Sequence, residues 1–364
     1  MELREAVGAA MVVGLGGTEL AGLERAWLRV VRPAGIILFR RNIESAAQTQ
    51  KLLTEATGFC QKNPLRCVDL EGGTVDRLRD ALAPMPSAKA VAFAARRKKN
   101  LAHEHGRCVA RAIQAFGFNT PLAPVVDLGL EVSAKVMGTR TSGATADEVV
   151  SYTEGFIAGL AEMGVAACGK HFPGLGGGTL DSHEATPLID RGMKEIWQQD
   201  LAPYRALADR LPMVMVSHAA YPRTAAKATP ASVSRFWIER VLRGRIGYKG
   251  LIFSDDMEMG GILKAMPMEE AAVAALRAGT NLIEICHSPE LILRAYEGLL
   301  REAEGSRAFR TLLLARARET DRLRRKYFAA KPGRVPTETQ LNTLATRIRR
   351  FAATVEKYQP TEAQ

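Results

Sequence analysis

"GLIFSDD", Gly250 to Asp256, decides the fold. Its first four residues carry no polar side chain, and the run then ends on Ser254 and two acids. A half-exposed strand alternates apolar and polar residues, whereas a strand covered on both faces, as in a parallel sheet, is apolar throughout. Seven other short runs share this character. They are "AAMVVGL" around Met11, "GIILF" at Gly35 to Phe39, "LRCVDL" ending at Leu70 and "LAPVVDL" ending at Leu128. The remaining three are "VAACGKHF" ending at Phe172, "PMVMVSHA" from Pro212 and "NLIEICH" from Asn281. Helical patterns lie between most of them. "ADEVVSYTEGFIAGLAEMG" spaces its apolar residues three and four apart, and "MEEAAVAALRAG" stops on Gly279, a residue type suited to a helix C-terminus. Eight such strands alternating with helices predict an α/β chain folded as a (β/α)8 TIM-like barrel. A doubly wound open sheet is the alternative, but it needs a topological switch and fewer strands.

The barrel is expected over residues 1–330, with two extra helices after the eighth strand, "PELILRAYEGLLREAEG" and "AFRTLLLARARETDRLRRKYF". "AAKPGRVPT" then breaks the pattern, and residues 331–364 read as a basic helical tail with a helix from Glu338 to Tyr358. Apolar residues make up 47% of the chain and charged residues 24%, an ordinary globular balance. No run approaches the roughly 18 apolar residues of a membrane span, and the first residues lack the basic start of a signal peptide. A cytoplasmic monomer with no membrane partner is the expectation. The five cysteines are scattered and form no CxxC, so buried thiols are expected rather than disulfides or a zinc site. The net charge is +11, but residues 301–364 alone carry 15 Lys and Arg against 7 Asp and Glu. No aromatics are interleaved there to stack bases, so a solvated helix face is expected, not a nucleic-acid site.

Chemistry in such a barrel sits at the C-terminal ends of the strands. Those ends are polar here: Asp69 and Glu71, Asp127, Lys170 and His171, Ser217 and His218, Asp255 and Asp256, Glu284 and His287. The segment "KHFPGLGGGTLDSH", Lys170 to His183, resembles a phosphate loop but lacks both the third glycine of a dinucleotide fingerprint and a terminal Gly-Lys-Ser/Thr. His103 and His105 would lie about 200° apart on a helix and cannot share a metal, so solvated or capping roles are expected for them. No cofactor and no metal are implied. "DSH" would place Asp181 and His183 on one side of an extended segment, where a carboxylate beside an imidazole raises its pKa and makes a proton carrier. The preceding glycines would let that segment swing, although a turn capped by Asp181 fits the same residues. Asp255, at a strand end, could attack an electrophilic carbon or stabilise a cation, with Asp256 turned away to hold the turn. Asp69 and Arg77, an acceptor and a donor on one short loop, suit a sugar.

These residues resemble the single-domain β-N-acetylglucosaminidases of glycoside hydrolase family 3. The resemblance rests on "GIILFRRNIES", "VDLEGGTVDRLR", "VVDL" with "VMGTRTSG", "KHFPG" with "DSH", "MVSHAAYP", "TPASVS" and "GYKGLIFSDDMEM", all in order. It implies a retaining exo-β-N-acetylglucosaminidase acting through a covalent glycosyl-enzyme. In that reading Asp255 is the nucleophile and His183, supported by Asp181, is the acid/base; Asp69, Arg77, Arg140, Lys170 and His171 bind the sugar. The expected partner is a small carbohydrate, by resemblance a muropeptide fragment of cell-wall recycling. A phosphorylase or another β-glycosidase on the same scaffold, and a sugar-binding barrel without turnover, are the alternatives. The chain departs from the family where KHFPGHGDT is common: Leu175, Gly177 and Gly178 replace the histidine, aspartate and threonine, and Thr74 stands where an arginine is common.

Overall fold

The computed structural model describes residues 1–178, 186–329 and 333–360. Strands β1 (Met11–Gly14), β2 (Gly35–Leu38) and β3 (Leu65–Val68) come first, followed by a small hairpin of β4 (Leu70–Gly72) and β5 (Val75–Asp76). β6 (Thr120–Pro121), β7 (Cys168–Phe172), β8 (Met213–Val216), β9 (Leu251–Asp256) and β10 (Leu282–Ile285) complete the set. Apart from the hairpin, all of them form one eight-stranded sheet in the order β6-β3-β2-β1-β10-β9-β8-β7. Every pairing in that sheet is parallel. The expected (β/α)8 barrel is the architecture.

The fourth strand is the departure. "LAPVVDL" does not run as a ladder; β6 pairs with β3 one step earlier, at Thr120 and Pro121. The gap to β7 is bridged by single backbone bonds: Cys168 N to Ala123 O, Lys170 N to Pro124 O, and Val126 N to Lys170 O. Pro121 and Pro124 lack the N–H that a continuous strand requires, so the sequence itself forbids a regular ladder here.

Period-two geometry then sorts the side chains. Val12, Ile37, Leu65, Cys67, Cys168, Met213, Met215, Leu251, Phe253, Leu282 and Cys286 pack inside the barrel. Their strand neighbours, such as Met11, Val13, Ile36, Val68, Ile252 and Ile283, pack outward against the helices. The inward series 65, 67, 69, 71 on the third strand and its hairpin, 168 and 170 on β7, 251, 253 and 255 on β9, and 282, 284 and 286 on β10 therefore carries apolar residues at depth and charged ones toward the C-terminal end.

Leu323 and Phe328, at the end of the helix Arg307–Tyr327, join this inner cluster from the opposite end of the barrel. Asn119 donates to the Phe328 carbonyl at 3.2 Å, and the buried Arg324 donates to the Ala34 carbonyl at 3.0 Å. The last helix, Glu338–Glu356, buries Ala345, Ile348, Phe351 and Val355 against the main core, so only its outer face is solvated. Four of the five cysteines are buried and none is bridged; Cys60 is half-buried. No helix among the described residues is long and apolar enough to cross a membrane.

The histidines at 103 and 105 correct the expectation of two solvated or capping groups. His103 is half-exposed and lies 3.0 Å from Glu162. His105 is buried in the core, its Nδ1 2.9 Å from the Tyr152 hydroxyl, and burial pushes its pKa down to about 3. The two face opposite sides of their helix, about 200° apart, and helical spacing alone does not say which side is core.

Candidate active site

One cavity of about 390 Å³ opens among the C-terminal strand ends. It is lined by Asp69, Arg77, Arg140, Lys170, His171 and Asp255, together with Glu71, Asp256, Glu284, Met215 and Cys286. The six sequence-predicted residues that fall in described segments are thus brought to one place. Asp181 and His183 lie outside the described residues.

Local structure explains each position. Asp69 follows β3, and the chain then turns through Gly72 (φ 91°) and Gly73 (φ 61°), left-handed conformations that favour glycine. A side chain at Gly72 would meet the Pro86 carbonyl at 2.0 Å, so the turn also requires the missing Cβ. The hairpin carries Arg77 back over its own start: Arg77 N bonds Asp69 O at 3.2 Å, and its guanidinium stands 3.3 Å from the Asp69 carboxylate. Asp76 secures the following loop by accepting from Leu78 N and Met85 N.

The side of the cavity built from β3, β4 and β7 is a closed network of opposite charges. Lys170 is buried and reaches both Asp69 (2.9 Å) and Glu71 (2.6 Å). Arg140 grips Glu71 with Nε and Nη2, both at 2.8 Å, and its Nη2 also stands 3.2 Å from His171 Nε2. Since the guanidinium can only donate, His171 Nε2 accepts, and Nδ1 carries the proton given to Asp127 at 2.7 Å. Burial alone would raise the Asp69 carboxyl, but Lys170 and Arg77 more than offset it and hold the group well below the usual carboxylate range. Glu71 follows the same logic: burial raises, Arg140 and Lys170 lower, and the result is about 2. Asp69 is therefore an ionised acceptor, and the Arg77 guanidinium lies beside it.

Glu71 belongs to this site, although the sequence reading noted it only as a strand-end acid. The signal was available: Asp69 and Glu71 are two apart, and alternation puts both on the inner side. Arg140 accordingly differs from the expected free donor to a sugar hydroxyl, because two of its edges are committed to Glu71 and His171.

The opposite side is built from β9 and β10 and has a different character. Asp255 is inward on β9, and its Oδ1 accepts from Asp256 N at 3.0 Å. Asp256 holds the turn, as expected, by accepting from Glu258 N at 3.0 Å, but it is not turned away: it lines the cavity beside Asp255. Burial, with the Glu258 and Asp255 charges, pushes its carboxyl up to about 7 against the opposing backbone bond. His218 is buried behind it, with Nδ1 2.7 Å from the Ser232 hydroxyl and Nε2 2.8 Å from the Asp256 carbonyl. It buttresses the strand end rather than facing a ligand.

The glycine segment after β7 corrects the expectation of a swinging hinge as far as Gly178. Leu175 N bonds Asp127 Oδ1 at 2.7 Å, the Tyr221 hydroxyl donates to Gly174 O at 2.7 Å, and Leu175 is buried. A Cβ at Gly176 would meet the Leu128 carbonyl at 2.7 Å, and one at Gly177 the Arg191 side chain at 2.8 Å. These glycines allow close packing of an anchored segment.

Comparisons with known proteins agree with this fold. The Glycosyl hydrolase family 3 N terminal domain matches residues 4–309. A beta-hexosaminidase of Alkalilimnicola ehrlichii is 38% identical over 288 residues, covering 78% of this chain and 82% of the relative. One from Pseudomonas aeruginosa is 36% identical over 293 residues, covering 80% and 87%. Among solved structures, a glycoside hydrolase family 3 beta-N-acetylglucosaminidase from Paenibacillus superposes with a TM-score of 0.86 at 30% identity, over 96% of this chain and 69% of that one. Native NagZ from Neisseria gonorrhoeae gives 0.76 at 25% identity, over 97% and 98%.

Proposed function

The chain belongs to glycosyl hydrolase family 3, and on that premise we propose that it is a retaining exo-β-N-acetylglucosaminidase. The observation that carries the proposal is the placing of Asp255 across a single-sugar cavity from an ionised Asp69 flanked by Arg77, Lys170 and His171. A terminal sugar would seat its hydroxyls on Asp69 and the neighbouring N–H donors, and its anomeric carbon would face Asp255. Two steps then follow. The Asp255 carboxylate attacks the anomeric carbon while His183, oriented by Asp181, gives a proton to the leaving oxygen. Water next attacks the glycosyl-aspartate while His183 takes the proton back, which returns both groups to their starting state.

The relatives named beta-hexosaminidase and beta-N-acetylglucosaminidase support the N-acetylglucosamine specificity. By the same resemblance, the natural substrate is a muropeptide fragment handled in the cytoplasm. The test is trapping with a fluorinated glycoside followed by peptide mapping. The expected label falls on the Phe253–Met257 peptide, and a label elsewhere refutes the nucleophile. Released sugar is assayed with and without phosphate: free N-acetylglucosamine in both supports hydrolysis, and its 1-phosphate would make the chain a phosphorylase.

A further inference from the structure

We propose that Glu284 is a specificity-determining residue of this site, its unpartnered carboxyl forming a hydrogen bond with a hydroxyl of the bound sugar. The proposal rests on the single-sugar reading of the cavity given above.

Glu284 interrupts the apolar run "NLIEICH", and period-two geometry turns it inward between Leu282 and Cys286. In the parallel ladder it is registered against Asp256, with Val12 on its other side. It therefore stands at the level of the nucleophile and lines the same cavity as Asp69, Lys170 and Asp255. Its backbone is fixed there by the Ser254 hydroxyl, 3.0 Å from Glu284 N.

One of its carboxyl oxygens is nonetheless unsatisfied. Glu284 is 2% exposed, and its Oε1 has no hydrogen-bond partner among the described residues. Ile37, Leu122, Met215 and Cys286 line the same space and offer it no strong partner. A leucine would fit such surroundings at lower cost, because a buried polar group without a partner is destabilising. Glu71, the other buried acid of the lining, is tied down by Arg140 and Lys170. Glu284 keeps one oxygen in reserve for something that enters.

Its ionisation says what that something is. Burial, and then the charges of Asp256, Asp69 and Asp255, push its carboxyl well above the ordinary range, against a weaker pull from Lys170. A carboxyl raised in this way favours its protonated, donating form, whereas Asp69 across the cavity is acceptor-only. A hydroxyl both donates and accepts, so this pairing reads a sugar hydroxyl or ring substituent and is closed to a bare anion.

The experiment compares the wild type with Glu284→Leu and Glu284→Gln on the full chain. It uses whichever aryl β-glycoside the wild type hydrolyses fastest, together with its singly deoxygenated analogues. For Glu284→Leu, KM should rise about 10-fold or more while the melting temperature rises, because an unsatisfied acid has been removed. Glu284→Gln keeps an N–H donor and should recover part of the loss in KM. One deoxy analogue should be penalised in the wild type and no longer penalised in Glu284→Leu. KM in the wild type should rise in alkaline buffer as the acid ionises, and Glu284→Gln should lack that limb. A wild-type KM in Glu284→Leu, a lowered melting temperature, or equal deoxy penalties in both proteins would overturn the proposal and make Glu284 structural. A wild type that prefers another sugar overturns the N-acetylglucosaminide reading, while the same comparison on that sugar still decides Glu284.

Discussion

The two sides of the cavity are each built on three acids, and they treat them oppositely. Asp69, Glu71 and Asp127 are matched by Lys170, Arg77, Arg140 and His171 at 2.6 to 3.3 Å. Asp255, Asp256 and Glu284 have no Lys or Arg ion pair among the described residues; a histidine, His287, stands 3.8 Å from Asp256. The first side is preorganised: its charges are fixed before a sugar arrives, so binding does not have to order them. The second side holds acidity that only a substrate, a proton or a forming covalent bond can use. A glycosidase needs both, because a rigid clamp gives orientation and an uncompensated carboxylate gives reactivity.

The largest effect comes from removing the reactive group. Asp255→Ala should lower kcat by on the order of 10⁴-fold with little change in melting temperature, and steady-state kinetics with an aryl glycoside reads it. Full activity in that variant would end the assignment. Next comes the clamp. Lys170→Met leaves Asp69 and Glu71 buried without their shared cation, and breaking such a pair costs about 3–5 kcal/mol. Denaturant unfolding should show that loss, and a stability equal to wild type would mean the network is not preorganised.

pH separates the two sides further. Glu71 is depressed from 4.5 to about 2, so its contribution is complete above 4.5 and is lost as pH falls toward 2. Asp256 is raised from 3.8 to about 7, so the folded state holds its proton more tightly and the stability it lends at low pH is lost as pH climbs from 3.8 to 7. Asp256→Asn keeps the turn acceptor and removes that slope. The variant should gain about 4 kcal/mol over wild type at pH 8 and little at pH 4, as thermal melts across buffers would show. The smallest effect belongs to the rim. Arg77→Lys loses the planar fork beside Asp69, and its KM should rise roughly 3- to 10-fold with kcat nearly unchanged.

The strands were legible in the sequence because burial on both faces writes itself as an uninterrupted apolar run, and Asp255 and Lys170 were legible because each ends such a run. Arg140 gripping Glu71 was not, since the two are 69 residues apart and no local pattern encodes their meeting. His105 shows the same limit: helical spacing separated it from His103 but could not say which face met Tyr152 and Phe351. The glycines after β7 were read as freedom because isolated glycine is permissive; packing against Leu128 and Arg191 turns the same absence of a side chain into constraint. Glu284 was legible only as one of the polar strand ends; that its Oε1 lacks a partner among the described residues is a fact of three dimensions.

The plug made by Leu323 and Phe328 has a consequence for the order in which the molecule can be made. These residues close the end of a barrel whose first strand is Met11–Gly14. On the ribosome, the interior of that barrel cannot be sealed until more than three hundred residues have emerged. Until then that end lacks its cover, so the nascent chain depends on the segment around Leu323 to finish a core begun at Met11–Gly14.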